Sequence, residues 1–260
     1  MKKSVFVILL FILAQANAQK TTIIKDNNAQ IRNVGNFTSV QVSNAISLYL
    51  TQSESNQVAV SAKDEESRSQ IVTEVVDGVL IIKMSERNGW WSWKSWSDIK
   101  AKAYVSIKDI NSLIGSGATN IHLLNKIQSP KMKIKLSGAS DLKGEIEAGA
   151  ISINLSGASD YKGQMTAQSL LLDASGASQI EIAGSVDDLS VELSGASDAK
   201  LFNLNSKGAI VHASGASNAN VNVSQLLKAQ ASGASNINYK GGPTIKEKNS
   251  SGASDIKHKN

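Results

Sequence analysis

Ser137-Gly138-Ala139-Ser140 returns almost unchanged down the second half of this chain. Further copies begin at Ser156, Ser175, Ser194, Ser214, Ser232 and Ser251, and a variant, Ser116-Gly117-Ala118-Thr119, precedes them all. Successive starts lie 21, 19, 19, 19, 20, 18 and 19 residues apart. A period held that closely over eight copies marks a solenoid, in which each repeat is one coil stacked on the last.

The flanking residues say which solenoid. Immediately before the tetrapeptide stand Leu136, Leu155, Ala174, Leu193, Ala213 and Ala231, and two residues earlier Ile134, Ile153, Leu172, Val191, Val211 and Ala229. Two residues after it stand Ile121, Leu142, Tyr161, Ile180, Ala199, Ala219, Ile237 and Ile256. Apolar residues on alternate positions have the period of a strand, whose side chains point to opposite faces in turn. Continuing that register places Gly138 and Ser140 inside, at a corner where Gly can adopt φ > 0. Like residues then stack from coil to coil at about 4.8 Å, so that eight coils span roughly 40 Å. A ladder of serine hydroxyls, each both donor and acceptor, can satisfy itself along such a stack. The leucine-rich horseshoe has a similar period, but its consensus is absent and no repeat carries a helical apolar stripe. The expectation is an all-β protein, a parallel β-helix (β-solenoid) with coils of about 19 residues, right-handed by loose analogy with parallel crossovers.

Composition agrees with thin stacked coils. The 260 residues include 19 Gly, only 2 Pro and 5% aromatics. Cys is absent, which excludes disulfides, thiolate metal sites and a cysteine nucleophile. Met1-Lys2-Lys3, the apolar run to Ala14 and Ala16-Asn17-Ala18 read as a signal peptide over residues 1–18, cleaved before Gln19. Loss of Lys2 and Lys3 lowers the formal charge from +5 to +3, with dispersed lysines and no nucleic-acid footprint. No later run has the length of a membrane-spanning helix. Export to the periplasm, cell surface or exterior follows.

Residues 19–30 read as a flexible leader, 31–110 as an N-terminal β region of irregular coils or a cap, and 111–260 as the regular repeats. Within the N-terminal region Val40, Val42, Ile46, Leu48 and Leu50 alternate with polar residues, and Asp77-Gly78 signals a hairpin. Residues 64–70 read as a charged turn or short helix. At the far end Lys246, Lys248, Lys257 and Lys259 would discourage strand addition, although an open coil could also pair with a second chain as a homo-oligomer.

Four tryptophans, Trp90, Trp91, Trp93 and Trp96, crowd one polar stretch between strands. They are the candidate binding residues, a stacking surface for an extracellular glycan or a surface protein; the plainer alternative is that they seal the core. The residue after each tetrapeptide is Asn120, Asp141, Asp160, Gln179, Asp198, Asn218, Asn236 or Asp255. Lys143, Lys162, Lys200 and Lys257 lie two positions on, on the same face, which favours a solvated ladder over a Ca²⁺ site. His122, His212 and His258 are far apart, the nucleophile-elbow, phosphate-loop and zinc motifs are missing, and neither cofactor nor metal is called for. Asp187-Asp188 and Glu65-Glu66 are adjacent acids whose side chains would diverge in a strand rather than flank a sugar bond.

With these residues in view the chain resembles the bacterial secreted family "putative auto-transporter adhesin, head GIN domain". The resemblance rests on Phe37-Thr38-Ser39-Val40, the strand from Ile46 to Leu50, Val76-Asp77-Gly78-Val79-Leu80 and the Ser-Gly-Ala-Ser ladder. It implies a β-helical envelope or secreted protein with an adhesin-like role, and supplies no catalytic residues. The expectation is a non-enzymatic binding module; the alternatives are a carbohydrate-active β-helix enzyme or a self-associating structural envelope protein.

Overall fold

The computed structural model describes residues 26–85 and 99–260. The repeats form a parallel β-solenoid of about 8 turns with coils near 19 residues. The strands β10 (Ile127–Leu136), β11 (Asp141–Leu155), β12 (Asp160–Ala174), β13 (Gln179–Leu193), β14 (Asp198–Ala213) and β15 (Asn218–Ala231) pair in parallel, each with the next. β16 (Asn236–Lys240) and β17 (Thr244–Ser250) continue from β15, and β18 (Asp255–His258) follows β16. The ladders of the long strands are interrupted at Pro130, Gly149, Gln168, Asp187 and Lys207, and β13–β14 and β14–β15 carry a further register shift each, at Glu181–Gly184 and Leu201–Asn205. A proline, which has no N–H to donate, fits such an unpaired bend. The break and the tetrapeptide divide every coil. We call the segment after the tetrapeptide the leading face and the segment before the next one (150–155, for example) the trailing face.

The tetrapeptide is conserved from coil to coil for reasons specific to each position. Its Gly has φ between 70° and 80° in all eight copies, the left-handed region that costs Gly nothing. Each Gly carbonyl also accepts from the Ala amide one coil on, as in Ala158 N–H to Gly138 O at 2.7 Å. A Cβ on Gly157 would sit 2.5 Å from that same Gly138 oxygen. The last Ser is buried, and its hydroxyl turns back to the carbonyl of the first: Ser159 to Ser156 and Ser197 to Ser194, both at 2.9 Å. Two details depart from the sequence reading. Gly138 is exposed at the corner rather than inside, because the positive φ takes the turn out of the alternating register. The serine hydroxyls close their own turns instead of forming an axial hydroxyl ladder: among the described residues Thr119 to Ser140, at 3.0 Å, joins two such hydroxyls across coils, while Ser235 and Ser254 also reach the Ala213 and Ala231 carbonyls of the preceding coil at 2.9 and 3.0 Å.

The N-terminal strands extend the same stack. β2 (Ser39–Val42) lies between β6 (Val79–Met84) and β8 (Ser112–Gly115), and β3 (Ser47–Gln52) between β7 (Lys102–Ile107) and β9 (Asn120–Leu123), all in parallel. β8 then meets β10 and β9 meets β11. The rungs are therefore out of chain order: 79–84 with 102–107 outermost, 39–52 next, then 112–123. Beyond them the pairing turns antiparallel. β5 (Ile71–Val76) folds on β6 through Asp77 and Gly78, both at positive φ, while β4 (Gln57–Ser61) pairs with β7 and β1 (Gln30–Arg32) with β4. Between β4 and β5 the short α1 (Glu65–Ser69) is capped by Asp64, whose carboxylate accepts from Ser67 N–H at 2.7 Å.

The interior is a set of apolar columns, and it tapers. Ile134, Ile153, Leu172, Val191, Val211 and Ala229 are all buried, and the column ends in Lys248, which is exposed. The neighbouring column shrinks from Leu136 to Ala231 and ends in Ser250. Among the described residues Tyr161 is the largest fully buried side chain, and its hydroxyl has no partner there. Gly163 makes room for it; a Cβ there would lie 1.9 Å from the Gly144 oxygen and 3.1 Å from the tyrosine hydroxyl.

Candidate functional surface

The leading face is bound to itself. One outward column reads Tyr104, Tyr49, His122, Lys143, Lys162, Glu181, Lys200, Asn220, Asn238 and Lys257. Tyr104 stacks on Tyr49 at 5.3 Å and 23°, and Tyr49 on His122 at 5.1 Å and 19°. Rings stacked along the coil axis cover each other's faces, which leaves a sugar only their edges. The Tyr104 hydroxyl donates to Asp26 Oδ2 at 2.7 Å. Burial and this carboxylate push the phenol pKa upward. Burial also raises Asp26, but the hydrogen bonds from Tyr104, from the Asn28 amide and from Ser61 outweigh it, and the carboxyl ends below its ordinary value. Burial, with Lys143 nearby, lowers the His122 pKa. Further along, Lys162 meets Glu181 at 2.9 Å, Lys200 meets Asp198 at 3.8 Å, and Lys257 pairs with Asp255. Asn238 donates to Asn220 at 3.0 Å and Asn236 to Asn218 at 3.1 Å. Such contacts are individually weak but recur along the face.

The trailing face is a flat ten-rung parallel sheet with three outward columns. One runs Lys131, Ala150, Ser169, Asp188, Gly208, Leu226, Thr244. The middle runs Val79, Ser39, Ser112, Lys133, Ser152, Leu171, Ser190, Ile210, Lys228, Glu247, and the third Ile81, Gln41, Ile114, Lys135, Asn154, Asp173, Glu192, His212, Gln230, Asn249. Here the ties are few: Asn154 to Asp173 at 3.1 Å, and Gln230 and Asn249 to one oxygen of Glu247. Lys131, Lys133 and Lys135 stand exposed on one strand at alternate positions, and none has an ion-pair partner among the described residues. The same holds for the exposed Asp188 and Glu192. Leu171 (50% exposed) and Ile210 (41%) project from the middle column with Ser190 between them. A polar groove of about 450 Å³ opens at the edge of this face, lined by Glu192, His212, Gln230, Asn249 and the first serines of three tetrapeptides.

Trp90, Trp91, Trp93 and Trp96 lie outside the described residues, as do residues 1–18. The segment that carries the tryptophans joins β6 to β7, the outermost rung. The three histidines are distributed over the two faces: His122 in the aromatic stack, His212 in the groove, and His258 against Tyr239 at 5.1 Å. Asp187 pairs with Lys207 at 2.8 Å while Asp188 points from the trailing face, and Glu65 and Glu66 occupy the first turn of α1. Among the described residues no group of His, Asp and Glu is placed to hold a metal ion, and no helix is long and apolar enough to cross a membrane. Sequence reasoning missed the trailing-face row. Lys131-x-Lys133-x-Lys135 was the signal: alternate lysines on a strand must share a face.

The fold defines the chain as a tapered parallel β-solenoid, a repeat scaffold whose outward columns differ between its two faces. Residues 36–243 match the family described as "Putative auto-transporter adhesin, head GIN domain", and the chain belongs to that family. No curated protein matches it. Among solved structures, a "putative adhesin" from Parabacteroides merdae ATCC 43184 is similar with a TM-score of 0.80 at 18% identity, over 89% of this chain and 95% of that one. A "putative lipid binding protein" from Parabacteroides distasonis ATCC 8503 is similar with a TM-score of 0.77 at 19% identity, over 89% and 96%. A "putative adhesin" from the same strain gives 0.73 at 20%, over 88% and 95%. Identities this low speak for the fold alone.

Proposed function

We propose that this protein is an exported, non-enzymatic, adhesin-like module that meets a surface glycan or surface protein through its trailing face. The observation that carries the reading is the contrast between the faces. On the leading face most charges, amides and rings, Lys143 excepted, pair within a strand or with the adjacent coil, whereas the trailing face holds unpaired Lys131, Lys133, Lys135, Asp188 and Glu192 beside exposed Leu171 and Ile210. Groups that gain nothing within the chain are available to a partner. Membership of an adhesin-described family and a leader of signal-peptide form support a place at the envelope or outside the cell. The tryptophan segment would add a second contact at the outermost rung. The acid pairs sit against lysine, on a helix turn or on an open face, which favours binding over polysaccharide cleavage.

The test is capture. The mature chain, immobilised, is challenged with a glycan array and with envelope extracts. Leu171→Arg with Ile210→Arg is expected to remove capture, and Lys162→Ala with Glu181→Ala on the leading face to leave it intact. Capture indifferent to the trailing face, or release of reducing ends from a polysaccharide panel, overturns the reading. Replacement of all four tryptophans by Ala measures their share.

A further inference from the structure

The unpaired charges of the trailing face are ordered. Lys131 and Asp188 share one column, Lys135 and Glu192 another, and in each column acid and base are separated by three rungs. Three rungs amount to about 14 Å, and no ion pair forms between them. On the leading face three lysines meet an acid on the adjacent rung or the same strand: Lys162 with Glu181, Lys200 with Asp198 and Lys257 with Asp255. Charges that are complementary but out of reach within one chain are placed to meet on another.

From this arrangement we infer that the partner of the trailing face is a second copy of this chain, packed face to face about a two-fold axis that lies along the strands between β11 and β12. That axis keeps each column opposite itself and reverses the order of the rungs. Lys131 then faces Asp188 of the second copy, Lys135 faces its Glu192, and Lys133 lies over its Ser190. Each contact occurs twice, as a two-fold interface requires. Inside this ring Leu171 packs over Ser152, and Ser112 receives Ile210. The axis also falls at the middle of the ten rungs from β6 to β17, so the two faces overlap along their whole length. At ~4.8 Å per rung and ~3.3 Å per residue the shared area is roughly 850 Å² per partner, close to the ~800 Å² of a standard interface. The other two-fold, parallel to the solenoid axis, would set Lys131 against Lys135 and Asp188 against Glu192, and like charges exclude it. The coil ends suit this role less well: Lys248 and Ser250 occupy inner columns, and Lys246 is an extra, bulged residue on the last rung. At the rim Val79 and Ile81 face polar Glu247 and Asn249, so the association is reversible rather than obligate.

This inference rests on the trailing face being the binding face, and the experiment separates the two. Sedimentation equilibrium of the mature chain from micromolar to millimolar concentration is expected to show one chain passing to two, with association weakened at least ~10-fold between 0.05 M and ~1 M salt. Lys131→Glu with Lys135→Glu, and separately Asp188→Lys with Glu192→Lys, should each lower association at least ~100-fold, because like charges then oppose. An equimolar mixture of the two variants should recover the two-chain mass, as should a single chain carrying all four changes. All four positions are exposed, and the wild-type measurement stands whether or not a variant folds. A wild-type chain that stays single, variants that still pair, or a mixture that does not recover overturns the inference. If the chain stays single while Leu171→Arg with Ile210→Arg still abolishes capture of another molecule, the binding face stands and only the second copy falls.

Discussion

The leading and trailing faces are cut from the same coils, share the same corners and border the same interior, yet their outward residues behave differently. On the leading face Lys162 finds Glu181 one rung away, Asn238 finds Asn220, and Tyr104, Tyr49 and His122 stack. On the trailing face Lys131, Lys133 and Lys135 sit beside Ala150, Ser152 and Asn154, which give them nothing to pair with. In a solenoid every outward residue has two neighbours, one rung up and one rung down, so the choice between matching and mismatching neighbours decides whether a face is scaffold or surface.

The corner is where this comparison would break first. Gly157→Ala forces a left-handed φ on a residue with a Cβ and drives that Cβ to 2.5 Å from the Gly138 oxygen. The two faces should then lose stability together, by at least ~2 kcal/mol, in chemical denaturation. A cost confined to one face in hydrogen exchange would mean that the faces fold separately. Second in size is the interior they share. Tyr161→Phe removes a buried hydroxyl without a partner and should stabilise by about 1 kcal/mol in the same assay. A loss of similar size would mean that a water satisfies that oxygen.

Smaller effects sharpen the contrast. Glu181→Gln on the leading face is expected to cost under ~1 kcal/mol, since the pair it breaks is half exposed. Lys133→Ala on the trailing face should leave the melting temperature where it is, there being no partner to lose. Equal losses from the two would erase the distinction. The smallest effect is that of pH. Folding depresses the His122 pKa below its ordinary 6.5, through burial and then Lys143, with Asp141 opposing. The unfolded chain therefore binds the proton first. The folded state keeps its full stability above pH 6.5 and loses part of it as the pH falls through 6.5 towards the lower folded value. Melting curves at pH 7.5 and pH 5.5 should show that loss, and His122→Asn should reduce it.

Much of the architecture was legible in the Ser-Gly-Ala-Ser copies, because a corner that needs positive φ and a carbonyl contact on every coil admits one small residue. The inner columns were equally plain, since Leu136, Leu142 and their counterparts alternate with polar residues. The exposed position of Gly138 was not, because alternation fails at a turn. The trailing-face row lay in view as Lys131-x-Lys133-x-Lys135, but three lysines on a strand carry no meaning until the two flanking rungs are known. The tryptophans show the converse, a prominent composition whose surroundings lie outside the described residues.

Period, strand pattern and the family were properties of the sequence alone, because they depend on which residue follows which at fixed spacing. Three things depended on the tertiary structure: the order of the N-terminal rungs, the aromatic stack of Tyr104, Tyr49 and His122, and the division into a saturated and an open face. Each is a relation between residues in different coils, and 39–52 is stacked between the strands at 79–84 and 102–107 on one side and 112–123 on the other, rather than in chain order. Local propensity does not reach across coils; only the hydrogen-bond register between them says which side chain stands next to which.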